Sequence, residues 1–172
     1  MPESYPTFRA GQKVTGSLLT SMQTRTARKT ADSTYTTTAV VSDAELTLTV
    51  EANAVYLMHG TIYSSHSVAN SDLVIDWDAP SGTDGTWSGT GRAVDTGGID
   101  SGDAKMIGTG ITASRSFGTD DGGAAASTAT LVTATLITGS TAGSYTAQFG
   151  MLTASGTLTI FTDSFITLQR IA

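Results

Sequence analysis

A chain of 172 residues predicts one domain, with or without an arm, and is long enough to bury a hydrophobic core without covalent staples. The absence of cysteine excludes a disulfide framework and thiolate metal sites. No apolar run approaches the ~18 residues that a membrane-spanning helix needs, so we expect no membrane insertion. A net charge of −6 argues against nucleic-acid binding, which in its non-specific form requires a basic surface.

Hydroxyl residues dominate the composition. The chain has 32 threonines, 19 serines and 19 glycines, whereas only 14% of its residues are charged. Threonine is β-branched and suits the exposed side of a strand, and glycine and serine suit turns. A helical protein would be richer in Glu, Lys and Leu. The composition therefore predicts an all-β sandwich or barrel.

The N-terminal segment differs from the rest of the chain in charge. Residues 1–30 carry a net charge of +4 and residues 31–172 a net charge of −10. Within this segment, residues 15–24 predict a short helix capped by Thr15, which is too short to be stable alone. Residues 1–32 thus predict an arm that docks on an acidic partner, including a neighbouring copy, and a solvated terminus is the alternative. The side chains expected to dock are Arg9, Lys13, Leu18, Met22, Arg25, Arg28 and Lys29.

From about residue 33 the apolar residues alternate with period two, which is typical of half-buried strands. The segments with strand character are 44–52, 54–64, 72–79, 85–92, 111–117, 128–138, 145–152, 157–161 and 165–172. Their regular spacing predicts a jelly-roll-like β-sandwich of about eight to ten antiparallel strands over residues 33–172. The residues expected in its core are Leu46, Leu48, Val50, Leu73, Ile75, Leu158, Ile160, Ile166 and Leu168.

A Gly- and Asp-rich segment, 89–110, predicts a long loop with at most one brief strand near Ala104–Ile107. Trp87 stands just before it among Gly, Ser and Thr, and we expect its side chain to be partly exposed. Aromatic faces suit the C–H-rich surfaces of sugars, so Trp87, Asp84 and Arg92 are the candidate binding residues of an exposed loop. Whether a cation is bound within residues 95–103 stays open, since the pattern of a calcium loop is absent.

Residue patterns that carry catalysis are mostly missing. His59 and His66 have no carboxylate at a spacing that would make a metal site, and we expect them to be ordinary surface or interface histidines. Asp95-Thr96-Gly97 matches the signature tripeptide of aspartic proteases, in which two carboxylates share a proton. The buried apolar strand that should precede that tripeptide is weak here. We therefore expect a protein without enzymatic activity, cofactor or metal ion.

Two motifs carry a resemblance to a known group of proteins. The chain is similar over most of its length to small proteins encoded by phages and prophages of actinobacteria, which are often labelled minor tail or hypothetical virion proteins. The first motif, with its spacing kept, comprises Asp43, Leu46, Val50, Ala52, Asn53, Ala54 and Tyr56. The closing motif comprises Ser164, Phe165, Ile166, Leu168 and Arg170. The resemblance implies a jelly-roll-like virion protein and transfers no catalytic residue.

Two functions follow as expectations. The first is a tail-associated or fibre-like module, a homotrimer that presents loops to the host surface, with cell-surface glycan as a candidate ligand. The alternative is a capsid decoration or head-fibre protein that binds or stabilises the shell. In both cases the arm contacts other virion proteins, and the particle is assembled in the cytoplasm of the host bacterium.

Overall fold

The computed structural model describes residues 10–16, 19, 23–68, 71–94, 104–119 and 127–172. Within them the chain is all-β, and twelve strands form two antiparallel sheets that pack as a sandwich. The strands are β1 Arg25–Arg28, β2 Ser33–Tyr35, β3 Val41–Val50, β4 Val55–His66, β5 Leu73–Asp78, β6 Asp84–Arg92, β7 Ala104–Gly110, β8 Arg115–Phe117, β9 Thr128–Ile137, β10 Gly143–Met151, β11 Leu158–Ile160 and β12 Phe165–Arg170.

The eight strands from β3 to β10 have the order of a jelly roll. The small sheet runs β3-β10-β5-β8, and the large sheet contains the run β4-β9-β6-β7. Successive strands mostly cross from one sheet to the other, which is the double Greek key of that fold. The predicted fold class is therefore confirmed. Four further strands widen the large sheet, because β11 and β12 both pair with the free edge of β4, with β2 and β1 beyond them.

The core lies between the two sheets, where the alternating apolar residues meet. All nine residues predicted to be buried are buried, which confirms the period-two assignment of β3, β5, β11 and β12. Aromatic rings fill the middle of the sandwich. Trp77 of β5 stacks on Tyr145 of β10 with ring centroids 5.0 Å apart, and Trp87 of β6 meets Trp77 edge-on at 5.8 Å.

Two details of the strand assignment differ from the sequence predictions. The described residues form twelve strands where about eight to ten were expected, because β1 lies within the predicted arm and β2, just after the arm, was not predicted. In segment 89–110 the described residues 89–92 and 104–110 form strands, since β6 continues to Arg92 and pairs with β7, which is longer than the brief strand expected there. Glycines at alternating positions made this segment look like a loop in the sequence. In the fold, inward-facing Gly89 leaves room for a ring of the opposite sheet, since an added Cβ would lie 2.2 Å from Phe117. Residues 95–103 lie outside the described residues.

Of the helix predicted over residues 15–24, the structure describes only Gly16 and Leu19 as helical. The Leu19 amide donates to the Thr15 carbonyl at 3.1 Å, and no longer helix is present among the described residues. Leu18 and Met22, the apolar residues expected to dock, lie outside the described residues. The arm is also shorter than predicted, because β1 is already part of the large sheet through its pairing with β12.

Candidate functional site

The three candidate binding residues do not form one site. Trp87 is only 1% exposed, so the prediction of an exposed ring is wrong, and its indole Nε1 donates to the Ala113 carbonyl at 2.9 Å. Asp84 and Arg92 stand at opposite ends of β6, roughly 26 Å apart at about 3.3 Å per residue. Asp84 is exposed, whereas Arg92 is half-buried and donates to the Thr119 carbonyl at 3.3 Å. The strand β6, which corresponds to the segment 85–92 predicted from the sequence, separates them.

The basic residues of the predicted arm fall into two groups. Arg25, Arg28 and Lys29 contact their own β-body, which corrects the expectation that they dock elsewhere. Arg25 pairs with Glu51 at 2.6 Å, and Arg28 pairs with Asp163 on the surface. Lys13 is exposed and remains a candidate for docking, whereas Arg9 lies outside the described residues. The charge difference along the sequence thus reflects in part ion pairs inside one chain.

Lys29 is the centre of a buried ionic cluster. It has no exposed surface, and its Nζ lies 2.6 Å from Oδ2 of Asp43 and 2.7 Å from Oγ of Ser33. The same Oδ2 accepts from the Tyr35 hydroxyl at 2.9 Å, while Oδ1 accepts from the amides of Glu45 and Leu46. Burial, followed by the charge of Asp43, raises the pKa of Tyr35 well above its usual range. Every polar atom of the pair is satisfied, so the cluster is a structural staple.

Glu45 completes this cluster at the surface. Its Oε1 accepts hydrogen bonds from the hydroxyl and the amide of Thr30, and its Oε2 lies 3.4 Å from Lys29. These hydrogen bonds, with a smaller contribution from the lysine, lower the pKa of Glu45 to about 2. The carboxylate is therefore ionised at neutral pH and is unsuited to donate a proton in catalysis.

The two histidines occupy opposite environments. His59 is exposed on β4, as expected of a surface histidine. His66, expected in a loop, ends β4 and is only 1% exposed, which corrects its expected surface position. Its Nδ1 lies 2.9 Å from the Val68 carbonyl and its Nε2 lies 3.1 Å from Sδ of Met151. Burial lowers the pKa of His66, so the neutral imidazole is favoured.

The buried imidazole predicts a pH-dependent stability. The unfolded chain protonates His66 near its usual pKa of 6.5, whereas the folded protein resists protonation. The unfolded state therefore binds more protons below that pH, and the free energy of unfolding should fall as pH drops from 7.5 to 5.5, by at most about 1.4 kcal/mol per pH unit for one group. Urea unfolding measures it. His66→Gln should flatten this dependence and His59→Gln should leave it intact; equal slopes in both variants would contradict the assignment.

The exposed surface of the large sheet is broad and nearly free of charge. We call it the outer face. The register pairs β4 with β9, β9 with β6 and β6 with β7, which fixes the residues that point outward together. They are Val55, Leu57, His59, Thr61, Tyr63, Ala129, Leu131, Thr133, Thr135, Ile137, Thr86, Ser88, Thr90 and Met106. Arg28, Arg92 and Asp84 lie only at its margins.

Four aliphatic side chains stand out on the outer face: Leu57, Met106, Leu131 and Ile137 are between 42% and 79% exposed. A shallow depression of about 440 Å³ lies beside Leu57 and is lined by the hydroxyl residues of β6 and β9, Thr86, Ser88, Thr133 and Thr135. The small sheet has a different surface, because outward positions on its strands β3 and β5 carry Glu45, Asp76 and Asp78. One side of the sandwich is therefore acidic, whereas the other is neutral and combines hydroxyl with aliphatic side chains.

A second depression, of about 360 Å³, lies where the ends of β2, β4 and β11 meet. We call it the hydroxyl groove. Its lining includes Asp32, Thr34, Ser65, Thr157, Thr159 and Phe161. It arises because β11 pairs with the last residues of β4 and with β2, so the outward hydroxyls of three strands converge. Sequence reasoning missed it, since these residues are spread over about 130 positions of the chain.

Two searches of the described residues give negative findings. No group of three or more His, Asp or Glu side chains there is arranged to hold a metal ion. In the same part of the chain, no helix has the length and apolar character needed to cross a membrane. The Asp95-Thr96-Gly97 tripeptide and the acidic residues up to Asp103 lie outside these residues.

Comparisons with known proteins complete the description. No protein-family model matches the chain, and no curated protein matches it. Among solved structures it is similar to a chain of the infectious bursal disease virus T13 particle, at 13% identity and a TM-score of 0.28, over 86% of this chain and 38% of that one. It is also similar to VP2 of the subviral particle of that virus, at 11% identity and a TM-score of 0.26, over 87% and 40% of the two chains. The chain thus spans about two fifths of these viral chains.

Proposed function

We propose that the chain is a structural subunit of a phage particle, which self-associates as a homotrimer through its outer face and serves as a tail-associated or fibre-like module for host attachment. The observation that carries the proposal is the outer face itself, a wide neutral surface with four exposed aliphatic side chains. The motif resemblance to actinobacterial phage proteins supports the setting in a virion, where the subunit is assembled in the host cytoplasm.

The outer face has the properties of a surface that another protein covers. Soluble monomers rarely expose a contiguous apolar patch larger than a few hundred Å², and they usually break such patches with charges. Here the charged residues lie at the margins, while Leu131 at the centre is 54% exposed. Burial of charged residues opposes association at an interface core, and their absence from this face removes that cost.

The size of the outer face also fits a protein interface. Four strands spaced about 4.8 Å apart, each with about nine residues at about 3.3 Å, give roughly 570 Å² of sheet surface. A standard interface buries about 600–1,000 Å² on each partner, so the face is at the small end of that range. A second copy is the partner we favour, because a neutral face can approach a neighbouring copy whose net charge is negative without bringing like charges together. In a threefold assembly this face packs against a different surface of the neighbour.

The arm has a place in the same assembly. Lys13 and Arg9, the two basic side chains before β1, can pair with the acidic small sheet of a neighbour, where Asp76 and Asp78 point outward. Burial raises the pKa of Asp76, so an approaching cation would stabilise its charged form. We propose that the arm reaches a neighbouring copy or another virion protein in this way, with an attraction that weakens as salt rises.

A charge introduced into the outer face should dissociate the assembly. Light scattering on the wild-type protein is expected to give three times the 17.6 kDa mass of one chain at micromolar concentration. Leu131→Glu should give a monomer, because each association would bury an unpaired carboxylate, at a cost of several kcal/mol.

Leu152→Glu is the matched control, since Leu152 is 45% exposed but lies in the turn after β10, away from the outer face. This variant should keep the wild-type mass. A monomeric wild-type protein would count against self-association. A dimer would support association through the outer face but would contradict the trimer.

The second candidate is a capsid decoration or head-fibre protein. The same neutral outer face favours it, since such a surface can equally pack on a shell protein. Quantitative mass spectrometry of purified particles distinguishes the two roles. A tail part is present in a few to tens of copies, whereas a decoration protein is present in hundreds.

A further inference from the structure

We infer that the hydroxyl groove binds a neutral saccharide. The inference deepens the attachment role proposed above and rests on it for its biological setting. It rests physically on three features that meet at this one place on the surface. These features are uncommitted hydroxyl groups, a half-buried aromatic ring and a positioned carboxylate.

The hydroxyl groups of the groove are available to a ligand. Thr34, Thr159 and Ser65 lie side by side at outward positions of β2, β11 and β4. Thr34 is exposed, Thr159 is half-buried and Ser65 is 6% exposed at the floor of the groove, and their hydroxyls make no hydrogen bond to another part of the chain that the structure describes. On the outer face, by contrast, the hydroxyls of Ser88 and Thr133 form a hydrogen bond with each other at 2.9 Å. A hydroxyl both donates and accepts, which matches the hydroxyls of a sugar.

Phe161 and Asp32 give the groove an apolar and a charged end. Phe161 follows β11, and its half-buried ring offers a flat surface on which the C–H groups of a pyranose can pack. Asp32 is held in place because its Oδ1 accepts the Thr162 amide at 2.8 Å. Its Oδ2 has no cation partner among the described residues, so it can accept hydrogen bonds from ligand hydroxyls, and charge-assisted bonds of this kind are strong.

The shape of the groove depends on the turn between β10 and β11. Gly156 has a φ of 73°, and an added Cβ there would lie 2.5 Å from Oγ of Ser67. Glycine thus lets the turn pack closely against the end of β4 and form one wall. The resulting volume of about 360 Å³ is at the small end of ligand pockets and suits one or two sugar rings.

Charge determines the class of sugar. Asp32 lies in the groove, and residues 31–172 carry a net charge of −10, so an acidic sugar is repelled. The groove lies beyond one edge of the outer face. Ser65 is two residues along β4 from Tyr63 at that edge and eight residues from Leu57, the latter roughly 26 Å at about 3.3 Å per residue.

Amide NMR on the isolated full-length protein tests the inference, with glucose, galactose, mannose and N-acetylglucosamine as probes and glucuronic acid as the acidic counterpart. At least one neutral sugar should shift the amides of residues 32–34, 65–67 and 157–161, with a Kd on the order of 1–10 mM. Glucuronic acid should bind about tenfold more weakly or not at all.

Matched variants locate the site. Phe161→Ala should abolish the shifts, whereas Phe165→Ala, which removes a half-buried ring from β12 outside the groove, should retain them. Asp32→Asn keeps the size of the side chain and an oxygen that can accept from the Thr162 amide, and it should weaken sugar binding about tenfold because the charge is lost. The absence of shifts with all four neutral sugars, or unchanged binding in Phe161→Ala and Asp32→Asn, would overturn the inference. Light scattering on the same samples reports assembly separately, so a failure to bind sugar leaves the proposed self-association standing.

Discussion

Replacing Lys29 with alanine is expected to lower the free energy of unfolding by about 3–5 kcal/mol, because it leaves Asp43 charged and buried without its partner. Lys29 has no exposed surface, and Asp43 is 3% exposed. The pair also joins the end of β1 to β3, that is, the large sheet to the small one. Loss of the lysine should therefore loosen β1 as well. Urea unfolding of the isolated protein measures the change.

Arg28→Ala is the matched control for this prediction. Arg28 is adjacent in sequence and also forms an ion pair, with Asp163, but the two side chains are 57% and 64% exposed. Exposed pairs contribute about 0–1 kcal/mol, since water screens them. If the two variants lost similar stability, the cluster around Lys29 would not be the staple described here.

Trp87→Ala is expected to lower the free energy of unfolding by about 3–5 kcal/mol, because it truncates the largest fully buried side chain in the described core and leaves a cavity. The ring contacts Trp77 edge-on and lies with its centroid 6.4 Å from that of Phe117. Its indole also donates to the Ala113 carbonyl, which would be left without this donor. Thermal and urea unfolding should both show the loss.

Met106→Ala tests the same region without opening a cavity. Met106 is on β7, next to β6, and is 79% exposed, so its truncation should change stability by no more than about 0.5 kcal/mol. A small effect of Trp87→Ala, comparable to that of Met106→Ala, would return Trp87 to the exposed position that the sequence indicated.

The phage-like motifs contain residues with structural roles. Asp43 anchors the buried cluster, and Arg170 pairs with Glu51 at the end of β12. Asn53 has a φ of 49°, in the left-handed region that asparagine tolerates better than most residues, and it forms the turn between β3 and β4. These positions explain why the motifs predict a fold and carry no chemistry of their own.

Sequence periodicity predicted most strands and their core faces. The alternation of Leu46, Leu48 and Val50 determines which side of β3 is buried, because a slip of one residue would reverse every side chain. The strands β1 and β2 were not predicted, since a strand of three or four residues is too short for a period to be detected. The two arginines of β1 also indicated a docking segment and not a paired strand. Trp87 was predicted to be partly exposed because the glycines around it are typical of a loop.

The sequence by itself determined the all-β class and the buried faces of most strands, because these depend on local alternation and turn chemistry, and the regular strand spacing indicated a jelly-roll-like sandwich. Only the tertiary structure decided which surfaces are available. The outer face unites residues of β4, β9, β6 and β7, and the hydroxyl groove unites Asp32 with Ser65 and Phe161. Pairing between strands that are far apart in sequence creates both surfaces. Local patterns do not specify such pairing, since the edge of every strand offers the same backbone N–H donors and C=O acceptors to any neighbour.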